Sequence, residues 1–251
     1  MASINGRPVV EASWGNTIPD DQWQDYMRAI TRLREENIDI ALGGAFALAA
    51  YTREWRNTKD LDVYVVPADR HRAIDAVTGL GFTDFHEKQA YDRRWIYRAC
   101  VESNLVDIIW AMANLTAEVD RDWLTRGPLL RVRGELLPVL PPEELIWAKL
   151  YVLQRDRSDW PDIFNILYSL GPSVDWDHLI ARVGDDLPLL QAVGSVFTWL
   201  FPGRSLAFPQ NVRSRLSLPE VPQPCESLNP RRLTMLDSRP WFRMSPAELS
   251  C

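Results

Sequence analysis

Two aspartates one residue apart, Asp60 and Asp62, stand at the head of the β-branched run "LDVYVV" (61–66). Residues i and i+2 of a strand share a face, so the two carboxylates project side by side. Adjacent carboxylates repel, and one would be driven to protonate. A bound divalent cation removes that conflict, and hard oxygen donors at close spacing suit magnesium or manganese, which bridge to phosphate oxygens. A third carboxylate, Asp107, interrupts the apolar run "LVDIIW". If that strand lies beside 61–66, three carboxylates from two strands form a cradle for two metal ions. One ion would activate an attacking hydroxyl, and the other would hold a triphosphate and its leaving pyrophosphate.

The glycines Gly43 and Gly44 precede an alanine-rich apolar run. Glycine permits close backbone approach, and a helix starting there offers N–H groups to an anion. Arg56 and Lys59, with Arg53 further back, lie just before the carboxylates and can contact phosphates. Thr58 can orient the loop or donate a hydrogen bond. Each feature has a plainer reading as a turn, a solvated acidic pair or a buried aspartate met by backbone donors. Their order and spacing together point to phosphate chemistry.

The elements that must hold these residues follow from periodicity. Trp23, Met27, Ile30 and Leu33 recur at helical spacing within 20–37, behind the acidic pair Asp20–Asp21. "IDIAL" (38–42) is a short strand ending at Gly43, 45–55 a helix, 61–66 a strand, and "ADRHRAIDAVTGLG" a helix ended by Gly79 and Gly81. "FTDFHEK", "RRWIYRAC" and "NLVDIIWAM" are strands, and "LLRVRGELLPVL" is two short strands around Arg133–Gly134. Residues 1–17 form an irregular arm. Helices follow from "PPEELIWAKLYVLQRD" onward, and the character changes near residue 138. The expected organisation is a mixed α+β catalytic domain over 1–138, with a mixed sheet flanked by helices. A helical region covers 139–201, and a proline- and arginine-rich tail, extended in form, covers 202–251.

The 251 residues are 46% hydrophobic and 25% charged, as in a globular protein. The net charge of −6 excludes general attraction to nucleic acid. Local basic clusters, "TREWR", "DRHR", "DRRWIYR" and "RVR", can still bind phosphates. Cys100, Cys225 and Cys251 are odd in number and far apart, against a disulfide framework or a zinc site. With no basic-then-apolar leader and no run long enough to span a membrane, a reducing cytoplasm is the expected compartment. Of the eleven tryptophans, Trp95, Trp110 and Trp147 sit in periodic apolar runs and are expected in the core. Trp241 in the tail could dock on the chain itself or on a partner.

The pattern Leu42-Gly43-Gly44, then Arg56-Asn57-Thr58-Lys59-Asp60-Leu61-Asp62-Val63, then Val106-Asp107-Ile108 resembles the nucleotidyltransferase superfamily related to DNA polymerase β. Its nearest branch is the small bacterial one that includes AbiEii-type toxins and minimal and aminoglycoside-type nucleotidyltransferases. The match is good over 38–112 and looser over 140–170. The resemblance implies that Asp60, Asp62 and Asp107 bind Mg2+ or Mn2+, with Asp107 as candidate general base. It also implies that Gly43, Gly44, Arg56, Thr58, Lys59 and Lys149 meet the phosphates of an NTP, supported by Arg155 with Asp159 or Asp162. Gly44 replaces a serine that many members carry.

The implied reaction moves a nucleoside monophosphate from an NTP to a hydroxyl on a small molecule, a tRNA or a protein. A tRNA acceptor is not indicated by the net charge, although Arg231, Arg232 and Arg243 in the tail could contribute. The alternatives are a non-catalytic nucleotide-binding or partner-binding protein of the same fold, against which all three carboxylates argue, and an interaction module built on the helical half and tail. A toxin–antitoxin pairing would fit the resemblance but leaves no mark in the residues.

Overall fold

The computed structural model describes residues 3–115, 117–155, 157–220 and 232. The chain divides into two compact units, Met1–Leu145 and Ile146–Cys251. The fold is α+β.

The first unit is built on two mixed sheets. Its strands are β1 (Ser3–Ile4), β2 (Arg7–Glu11), β3 (Ala41–Leu42), β4 (Asp60–Tyr64), β5 (Thr83–Asp84), β6 (Ile96–Val101), β7 (Asn104–Ile109), β8 (Leu129–Val132) and β9 (Glu135–Pro138). Its helices are α1 (Asp20–Glu35), α2 (Gly44–Thr52), α3 (Arg70–Thr78) and α4 (Arg121–Thr125). The larger sheet has the order β3-β4-β7-β6-β5, and the smaller β1-β2-β8-β9. In the larger sheet only β4 and β7 run parallel. Alternation along these two strands buries Leu61, Val63, Val106 and Ile108 completely on one face. Asp60, Asp62 and Asp107 fall on the other.

Residues 3–11, expected to be an irregular arm, form a hairpin that enters the smaller sheet. Asn5 and Gly6 both have positive φ, +52° and +77°, the backbone that a tight two-residue hairpin requires and that Asn-Gly supplies. β2 then pairs in parallel with β8, Val9 facing Leu129 and Val10 facing Leu130, and both valines are buried. The stretch "FTDFHEK" is only briefly a strand, since Phe85–Glu87 turn as a 3-10 helix capped by the Asp84 side chain.

Helix α5 (Pro142–Leu150) carries the chain into the second unit, followed by α6 (Trp160–Leu170), α7 (Trp176–Val183), α8 (Leu187–Leu200) and α9 (Gln210–Arg215). The core of the second unit centres on Phe197, whose ring meets Phe164, Phe201 and Phe208. Residues 202–218, expected to be extended, fold instead. Pro202–Ala207 form a 3-10 helix and Pro209 stands as N-cap of α9, with Phe208, Val212 and Leu216 buried. Arg232 donates to the Trp199 carbonyl (2.7 Å) and lies over its ring. Arg231, Trp241, Arg243, Cys225 and Cys251 lie outside the described residues; Cys100 is a buried free thiol. No helix among the described residues is long and apolar enough to cross a membrane.

Candidate active site

The site begins with strand register. β4 and β7 pair in parallel with Asp62 directly opposite Asp107 and Asp60 opposite Leu105. Asp62 and Asp107 are therefore neighbours on one face, with Asp60 two residues along it. Asp60 and Asp62 are partly exposed, whereas Asp107 is 1% exposed. The Thr58 hydroxyl donates to the Asp60 carboxylate, so Thr58 orients the first aspartate from within the preceding loop.

Helix α2 starts against the second aspartate. The Gly43 amide donates to the Asp62 carbonyl (2.9 Å), tying the turn before the helix to β4. A Cβ on Gly43 would overlap the Tyr64 ring, and one on Gly44 would overlap the Asp62 Oδ2. Gly44 also has φ +48°, a left-handed backbone that costs other residues free energy. Both glycines are thus dictated by close approach. The serine found at the second position in the resembling family would not fit this backbone while Asp62 keeps its place.

Asp107 is held by a residue that the sequence reading did not single out. Arg98, its register partner on β6, clasps it in a fork: Nε to Oδ1 at 2.8 Å and Nη2 to Oδ2 at 2.6 Å. A bidentate guanidinium–carboxylate pair is among the strongest charge-assisted arrangements. The hydrogen bonds that Arg98 donates to Asp107 raise its pKa against the opposing effect of burial, and the charges of Asp107, Asp60 and Asp62 add to it. The same field reaches Tyr26 on α1. Burial pushes its hydroxyl pKa up, the hydrogen bond with Gln22 works the other way, and Asp60, Asp62 and Asp107 push it higher still. A signal for Arg98 exists in the sequence. Strands β6 and β7 are joined by Glu102 and Ser103 alone, and counting outward from that turn pairs the lone arginine of one strand with the lone aspartate of the next.

The loop before β4 is pinned from two sides. The Gln22 side chain donates to the Thr58 carbonyl and accepts from Asn57 Nδ2 at 3.2 Å. Trp55 stacks on Trp14 with centroids 4.1 Å apart and meets the edge of Phe46 at 5.0 Å. Arg56 and Lys59, on this fixed loop, are exposed. The other expected phosphate ligand, Lys149, lies in the second unit, where its ammonium donates to Asp159 (3.0 Å) and Asp162 (2.6 Å). Arg157 also pairs with Asp159, and Arg155 is exposed.

Among the described residues, no group of three histidine, cysteine, aspartate or glutamate side chains is disposed to hold a metal ion. Asp60 and Asp62 offer partly exposed carboxylate oxygens of the type that hard divalent ions take, while Asp107 already faces a guanidinium.

A helix opening on glycine thus stands against a parallel strand pair that aligns two aspartates. The chain belongs to the family described as uncharacterised nucleotidyltransferase, whose model matches residues 21–197. Among solved structures, the chain is similar to the antibiotic-resistance factor ANT(2'')-Ia, at 16% identity and TM-score 0.43, covering 69% of this chain and 89% of that one. It is also similar to the lincosamide antibiotic adenylyltransferase LnuA, solved with lincomycin bound, at 14% identity and TM-score 0.42, covering 59% and 96%. A third likeness is to JHP933 from Helicobacter pylori, at 13% identity and TM-score 0.39, covering 72% and 79%. No curated protein matched the chain.

Proposed function

We propose that the chain transfers a nucleoside monophosphate from an NTP to an acceptor hydroxyl, using Mg2+ or Mn2+ held by Asp60 and Asp62. The observation that carries this reading is the register of Asp62 opposite Asp107 with the Gly44 start of α2 against Asp62. When bound, the divalent ion neutralises the triphosphate and stabilises charge on the departing pyrophosphate. Arg56 and Lys59 steer the phosphates from the fixed loop, and Thr58 keeps Asp60 aimed. The acceptor oxygen attacks the α-phosphorus, and the bond from that phosphorus to the bridging oxygen breaks. Pyrophosphate leaves with the electron pair. Asp107 takes the acceptor's proton, and the Arg98 fork holds its carboxylate in place. Lys149, Asp159 and Asp162 are assigned to holding the turn between α5 and α6 in their own unit.

The test incubates the purified chain with each α-labelled NTP, Mg2+ or Mn2+, and a cell extract as acceptor source, with Asp62→Asn in parallel. Label entering an RNA, protein or small-molecule fraction with the wild type alone is the expected outcome. Absence of transfer with every NTP, together with no divalent-ion-dependent NTP binding, would overturn the reading.

A further inference from the structure

Two basic clusters of the sequence, "DRHR" (69–72) and "DRRWIYR" (92–98), take no part in the carboxylate face apart from Arg98. The fold brings them to one place in the first unit. A cavity of about 510 Å³ is lined by Arg70 and His71 from the start of α3, Arg93 and Arg94 from the segment entering β6, Tyr97 of β6, and Trp110 just beyond β7. Its size is that of a small-molecule site. It is also separate from the carboxylates: Tyr97 precedes Arg98 in the same strand and projects to the opposite face of the sheet.

The charges in this cavity are unbalanced. Asp84 is the one carboxylate lining it among the described residues, and it is already met by Arg93 (2.5 Å) and the Tyr91 hydroxyl (2.8 Å). Arg94 is paired in a fork with Asp92, Nε to Oδ1 at 3.0 Å and Nη2 to Oδ2 at 2.7 Å, but Arg94 is largely solvent-exposed and Asp92 partly so, and such a surface pair is weak enough for a phosphate to compete with it. Among the described residues Arg70 has no carboxylate partner. Its guanidinium lies 5.9 Å from the Trp110 ring, and its Nε faces His71 Nε2 at 3.2 Å. Trp110 is fixed in turn by its Nε1 donating to the Arg94 carbonyl (2.9 Å). Cations are therefore gathered beside aromatic rings in a protein whose net charge is −6. Guanidinium groups grip phosphate oxygens in pairs, and aromatic faces accept a stacked base.

We propose that this cavity binds a nucleotide unit, with its phosphate between Arg70 and Arg94 and its base against the half-buried ring of Tyr97, above the buried Trp110. The unit is either a free mononucleotide or one residue of an RNA strand. The proposal is independent of the transfer reaction, because it uses neither the carboxylates nor a divalent ion.

The test measures fluorescence anisotropy of a labelled single-stranded RNA of about 12 nucleotides, with AMP as competitor and EDTA present to silence cation-dependent binding at Asp60 and Asp62. Wild type should bind with EDTA present. The double variant Arg70→Glu with Arg94→Glu should bind about tenfold or more weakly, and Arg70→Gln with Arg94→Gln should weaken binding in the same direction by less. Displacement by AMP at a matching nucleotide concentration identifies the free mononucleotide as the ligand; RNA binding far tighter than AMP identifies the strand. Binding of neither probe, or full binding by the charge-reversed variant, overturns the proposal. Magnesium-dependent NTP binding, measured on the same variants, reports the carboxylate site separately, so failure of one site is not mistaken for failure of the other.

Discussion

At position 98 one side chain decides whether a buried charge is tolerable. Asp107 is 1% exposed, and the fork from Arg98 answers its charge. Removing one partner of a buried pair leaves the other desolvated, which costs far more than the pair contributes against an apolar substitute. Arg98→Ala should therefore destabilise the chain by about 3 kcal/mol, measured by urea denaturation of the full chain followed through tryptophan fluorescence. Adding Asp107→Asn should recover much of that loss, because the orphaned charge goes with it. A loss in Arg98→Ala below about 1 kcal/mol would reduce the pair to the rank of a surface salt bridge. The aspartates themselves were legible: two acids in alternate positions before a β-branched run, and a third inside an apolar one. Gly44 was legible as a place of close approach, but the object it approaches is Asp62. That requires knowing that α2 starts directly against β4.

At the scale of elements, long strands and periodic helices were readable, and the failures have specific causes. Residues 3–11 lack a long apolar run, so their pairing depends on β8, more than a hundred residues away, and only the Asn-Gly turn advertised it locally. The prolines in 202–218 argue for an extended tail, yet Pro209 sits at the entry to α9, where a missing N–H costs nothing. The turn joining α5 to α6 carries its own titration. Burial alone would lower the Lys149 pKa, but the charges and hydrogen bonds of Asp162 and Asp159 outweigh it and the net shift is upward. Burial alone would raise Asp159, but Lys149 and Arg157 hold it below the ordinary carboxylate value. The depressed aspartate contributes stability that is complete above the ordinary aspartate value and is lost as pH falls through its folded value. The raised lysine contributes stability that is complete below the ordinary lysine value and is lost as pH rises through its own. Stability of this turn should hold between those limits and decline at both. Asp159→Asn should lower that plateau by about 2 kcal/mol and flatten the acid decline, read from urea midpoints across a pH series. An unchanged acid limb would remove Asp159 from the account.

At the scale of the molecule, charge sets the limits of any contact with nucleic acid. A net charge of −6 works against general attraction to a strand, so the cavity proposal has binding draw on the few cations around Trp110. Each phosphate neutralised on a single strand contributes roughly −0.7 to the slope of log affinity against log salt. Contacts from Arg70, Arg94 and one neighbour would give a slope of roughly −2, well short of that of a protein that follows a backbone over many phosphates. The repulsion of the remaining acidic surface acts in the same direction, weakening any strand portion that extends past the cavity at low salt, where screening is least. Anisotropy titrations of the labelled RNA over a salt series measure this slope directly. A slope several times steeper would mean that phosphates are being met elsewhere on the chain, and the cavity would then be one contact in a longer path.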